Sequence, residues 1–152
     1  MNEALSTAAA SVGDVLAPDV AYLQPPEERH YVGEATVLAI GSAVLGAFVA
    51  GLLAGARDEI REWGRDAGSW LARRLKAIWA GDTRQVLEET DTLVMTWTAE
   101  VERTGARSSL VHEAKVTMIF EQSLVEQGLP AASAANVAAA AVRETHRLES
   151  QG

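Results

Sequence analysis

"ATVLAIGSAVLGAFVAGLLAGA", residues 35–56, runs for twenty-two positions without a charge. Placed at 100° per residue, Val37, Leu38, Ile40, Val44, Leu45, Phe48, Val49, Leu52 and Leu53 share one broad side. The other side carries Thr36, Ala39, Ser42, Ala43, Gly46, Ala47, Ala50 and Ala54. A helix at the surface of a water-soluble protein shows a charged or strongly polar face, and this one has none over six turns. It must therefore be surrounded by lipid or by protein.

The lipid reading accounts for both sides. Twenty-two residues at 1.5 Å each span roughly 33 Å, enough for a hydrocarbon layer of about 30 Å. Bulky side chains would face acyl chains, while the small side lets another helix approach closely. Ala39, Ala43, Ala47, Gly51 and Gly55 make a continuous small-xxx-small ladder, flanked by Gly46 and Ala50. These seven residues are the expected self-association face of an oligomeric membrane assembly. Nine strongly apolar residues favour insertion by about 3–5 kcal/mol, a gain reduced by four glycines, Thr36 and Ser42. Such a helix is stable in lipid chiefly when its small face is paired, or it starts covered in water and inserts later. The alternative is a soluble all-α interaction or scaffold module in which 35–56 is the buried central helix.

A phosphate-binding loop does not fit. Gly41 and Gly46 have the spacing, but Ala47 and Phe48 stand where Lys and Ser/Thr are needed.

The flanks set the expected orientation. Residues 1–56 hold one basic residue, Arg29, against six acidic ones, whereas 57–84 hold seven basic against five acidic. The remaining 85–152 hold five against ten, within an overall net charge of −8. Basic residues gather on the inner side of membranes, which predicts a single-pass protein with its C-terminal part cytoplasmic. The expected organisation is an acidic N-terminal tail and linker (1–34), a transmembrane helix (35–56) and a helical cytoplasmic assembly domain (57–152).

No breaker follows residue 56. Ile60, Trp63, Ala67, Trp70, Leu71, Leu75 and Ile78 recur at helical spacing. An unbroken helix over 35–79 would form a rod of roughly 65–70 Å. Trp63, Trp70 and Trp79 with Arg73, Arg74 and Lys76 resemble the pattern of an interfacial amphipathic helix. The rival assignment is the core face of a cytoplasmic bundle. Gly81 reads as a helix stop, and Asp82 with Gln85 as the next capping box.

Helices are then expected at 83–103 and 109–127, the second stopped by Gly128, with an alanine-rich helix closing the chain. The alternation in "DTLVMTWTAEV" keeps a β-hairpin over 92–120 as the minor alternative. Near the N-terminus, Leu5, Ala8, Val12, Val15 and Leu16 give residues 2–16 an amphipathic helical pattern. Pro18 ends that helix, and "LQPPEERH" with Pro25 and Pro26 reads as an extended linker.

Composition excludes several chemistries. There are no cysteines, hence no disulfide, thiol nucleophile or thiolate metal site. A basic leader is missing from the first residues, so no secretory signal is expected. An acidic chain is poorly suited to neutralising phosphates, so nucleic acid is not an expected partner. His30, His112 and His146 share no ligand-like spacing, and no serine sits in a Gly-x-Ser-x-Gly turn. The reading is therefore an all-α, non-enzymatic protein with no catalytic, cofactor or metal residues. Its expected partners are a lipid membrane, further copies of itself, and a protein bound through 83–149. Pore formation or membrane disruption is the active version of that assembly, and a passive anchor the inert one.

Overall fold

The computed structural model describes residues 3–23, 33–104 and 107–151, with side chains throughout except at 104–111 and 151. The described residues form six α-helices and one 3-10 helix, without strands. In chain order they are α1 (Glu3–Leu16), the 3-10 segment Ala17–Leu23, α2 (Glu34–Ala56), α3 (Ile60–Trp79), α4 (Thr83–Thr104), α5 (Arg107–Glu126) and α6 (Ala131–Gln151). The β-hairpin alternative over 92–120 is not realised. Threonines 92, 96 and 98 of α4 instead turn their hydroxyls onto carbonyls three or four residues back (Glu88, Thr92, Val94 and Met95), at 2.9–3.1 Å. That back-bonding lets β-branched polar residues sit in a helix. The linker around Pro25 and Pro26 lies outside the described residues.

Helix α2 is the axis of the fold. Sixteen of its 23 residues are buried, because α1, α3, α4 and α5 all pack on it and α6 reaches it at the edge. Each neighbour spends an apolar stripe on the axis. In α1 the stripe is Leu5, Ala8, Ala9, Val12, Gly13 and Leu16, and in α3 it is Ile60, Ala67, Leu71, Leu75 and Ile78. Val86, Val94 and Trp97 serve in α4, and Val116, Phe120 and Leu124 in α5. Helix α6 closes the far side against α1 and α5. Fully burying a Leu, Ile, Val or Phe contributes about 1.5–3 kcal/mol, and α2 alone buries Ile40, Val44, Leu45, Phe48 and Val49 completely.

The continuous 35–79 rod is not observed. Helix α2 stops at Ala56 and α3 begins at Ile60, with Asp58 at φ 58° in the turn between them. This reversal folds the amphipathic α3 back onto α2 instead of extending it. Residues 2–16, given an amphipathic helical pattern by the sequence, contain α1, which packs against α2 and α6.

Candidate functional site

The small face of α2 is the feature from which the sequence reading derived a function, and its surroundings are now explicit. Ala39 and Ala43 are fully buried, Ala47 is 3% exposed and Ala50 is half-buried. The glycines admit specific side chains. A methyl group at Gly51 would fall 2.6 Å from both Trp63 Cζ2 and Val116 Cγ1. One at Gly46 would meet Thr90 Oγ1 at 2.9 Å and Trp70 Cη2 at 3.5 Å, and one at Gly55 would meet His112 Cβ at 2.9 Å. Helices α3, α4 and α5 therefore occupy the three glycine positions of the face that the sequence assigns to self-association. Its close approach is used within one chain.

A second close crossing lies nearer the start of α2. A methyl group at Gly41 would run into the Ala9 carbonyl oxygen, and one at Gly13 would sit 2.9 Å from that of Val37. Two glycines facing each other let the backbones of α1 and α2 touch, as they do where small residues line a helix pair. The bulky side of α2 is covered too. Phe48 meets Phe120 of α5 edge-on, with ring centroids 5.4 Å apart at 64°. Leu45 is fully buried and Leu52 is 2% exposed.

The residues expected at a membrane interface divide into two groups. Trp63, Trp70 and Trp79 are half-buried against the core. Trp79 donates its indole N–H to the Leu23 carbonyl at 3.2 Å, tying the end of α3 to the 3-10 segment. Arg74 stacks over Trp70, with Cζ 4.3 Å from the ring centroid, and pairs with Glu89 of α4. Arg73 and Lys76 point to solvent. The indoles thus lie on the inward side of α3 and the remaining cations on its outward side, an arrangement that also suits the core face of a bundle.

Several polar groups are paired, some between helices and some within one. Thr90 is 1% exposed and donates its hydroxyl to the Ser42 carbonyl of α2 at 3.0 Å. Glu144 of α6 is fully buried, with Arg147 Nη1 at 3.2 Å and Arg143 Nε at 3.8 Å. His146 of α6 meets Glu113 of α5 at 2.7 Å, and His112 packs on Gly55, so these two histidines stand in structural contacts. His30 lies outside the described residues. Near the end of α4, a hydrogen bond from Arg103 at 2.6 Å holds the Glu100 carboxyl below its ordinary value.

Two surface hollows have defined walls. Trp70, Arg74, Gln85, Glu88, Glu89, Thr92 and Leu93 line an open groove between α3 and α4. Glu3, Thr7, Glu144 and Arg147 contribute to a smaller one between α1 and α6. Neither set contains a nucleophile joined to a base. Among the described residues no three His, Cys, Asp or Glu side chains gather as a metal site. Sequence reasoning singled out neither Thr90 nor Glu144. A threonine in a run of threonines and a glutamate between two arginines carry no signal until the helices are packed. No family model, curated protein or solved structure matches this chain.

Proposed function

We propose that the chain is a water-soluble, non-enzymatic all-α interaction module with α2 as its internal support. One observation carries this reading. The glycine side of α2 is filled by Trp63, Trp70, Thr90, His112 and Val116 of the same chain at contact distance, and its bulky side is covered as well. A helix apolar on all sides needs either lipid or complete burial, and here burial is available. Partners would bind on the outer faces of 83–149. There Met95 (62% exposed) and Met118 (64% exposed) offer flexible thioethers of the kind that accommodate varied protein surfaces. The net charge of −8 favours a basic protein partner over nucleic acid.

The second reading is the oligomeric membrane assembly, pore-forming or anchoring. The length of α2, 23 residues, and a mean hydropathy of 2.3 over its most apolar 18 residues support it. It requires α1, α3, α4 and α5 to leave α2, so that Gly46, Gly51 and Gly55 can meet other copies.

Partitioning separates the two. The soluble module stays in the supernatant in detergent-free buffer and leaves dye-loaded anionic liposomes intact. A chain that needs detergent, or that releases the dye, would overturn the soluble reading in favour of the membrane assembly.

A further inference from the structure

Three helices end in the same main-chain pattern. After α3, the Gly81 N–H donates to Ile78 O at 3.1 Å and the Asp82 N–H to Ala77 O at 2.9 Å. After α5, the Gly128 N–H donates to Val125 O at 3.0 Å and the Leu129 N–H to Leu124 O at 3.2 Å. After α2, the Asp58 N–H donates to Gly55 O at 3.2 Å and the Glu59 N–H to Ala54 O at 2.6 Å. The pattern places its central residue in the left-handed region, normally a glycine. Gly81 and Gly128 obey, at φ 97° and 114°, whereas Asp58 takes φ 58° and is the one non-glycine at positive φ among the described residues.

The sequence around this turn is otherwise suited to continuous helix. It contains neither glycine nor proline between Ala56 and Trp63, and Arg57, Asp58 and Glu59 are all exposed. Straightening the turn would therefore relieve an unfavourable backbone angle without uncovering a packed side chain at 57–59. Short connections held in unfavourable geometry between packed helices favour exchange of the flanking element between molecules.

We propose that residues 57–59 form a hinge through which α1 and α2 exchange as one unit between two copies of this chain. The resulting dimer contains two continuous helices over 34–79. Helix α1 travels with α2 because Gly13 and Gly41 hold their backbones in contact. Each exchanged α2 finds the same pockets in the second copy: Trp63 and Val116 for Gly51, Trp70 and Thr90 for Gly46. All monomer contacts of α2 re-form except the turn itself. By symmetry, an antiparallel crossing about Asp58 brings Arg57 of one copy near Glu59 of the other. Exchange goes beyond the module function and rests on its water-soluble state.

The test uses the whole chain, refolded at high protein concentration and sized by chromatography with light scattering. Asp58→Gly removes the steric penalty of the turn and lowers the dimer fraction several-fold, while Asp58→Ala raises it. Geometry is read by refolding a Gly46→Cys chain together with a Thr90→Cys chain, since a Cβ at position 46 lies 2.9 Å from Thr90 Oγ1 and 3.5 Å from its Cγ2, within disulfide reach. Exchange joins them in a covalent heterodimer on oxidation. A soluble chain whose refolded mixture yields no 46–90 cross-link overturns the exchange alone, as does a folded Asp58→Ala chain that is monomeric at every concentration. A chain soluble only in detergent overturns both the exchange and the module.

Discussion

Helices α2 and α6 are both built largely from small residues, yet they sit differently. Helix α2 is covered on all sides over most of its length, whereas α6 leaves Ala132, Ala135 and Ala139 exposed beside Asn136, Arg143 and His146. The inward side of α6 still buries Ala134, Val137, Ala138, Ala140 and Ala141. Small residues permit close approach in both helices. What distinguishes them is the polar side chains that α6 spreads along one face and α2 lacks. A stripe of alanines does not by itself define a partner; the chemistry of the opposite face decides how many partners the helix needs.

Substitutions break or sharpen this contrast. The largest effect is expected from Gly51→Arg, which drives a charge into the contact with Trp63 and Val116. Loss of a cooperative thermal transition is the outcome, since uncompensated buried charge belongs to the most destabilising class of change. Next comes Phe48→Ala, which removes the edge-on contact with Phe120 and leaves a cavity. A loss of about 3–5 kcal/mol in urea unfolding is expected. Gly41→Ala should cost about 1–3 kcal/mol, because its methyl group meets the Ala9 backbone rather than a movable side chain. Thr90→Val deletes one buried hydrogen bond at nearly constant shape and should lower stability by about 1 kcal/mol. On α6, Ala139→Lys at an exposed site should change stability by no more than about 0.5 kcal/mol. A larger loss there, or a change in molecular mass on the column, would mean that the outer stripe of α6 is covered in solution.

Much of the secondary structure was legible because it depends on local pattern. The three- and four-residue spacing from Ile60 to Ile78 marks α3, and the left-handed glycines Gly81 and Gly128 mark helix ends. The reversal at 57–59 was not legible, since Arg57, Asp58 and Glu59 are all compatible with continuing helix. What fixes the turn is the tertiary gain of laying Trp63 and Trp70 against Gly51 and Gly46. For the same reason the small ladder was legible as a packing face, but not the identity of what packs there. An absence of charge specifies a non-aqueous surrounding and nothing finer. Trp63, Trp70 and Trp79 share that ambiguity: an indole at helical spacing suits a lipid headgroup or a bundle seam equally.

Chain order adds a constraint during synthesis. Helix α2 ends at residue 56, while α5, the last of the four helices that pack along it, ends at residue 126. At translation speeds of about 5–20 residues per second, the nascent apolar segment waits roughly 4–14 s for α5 to be made. The ribosome-bound intermediate is thus the stage at which targeting factors and chaperones would compete for this helix.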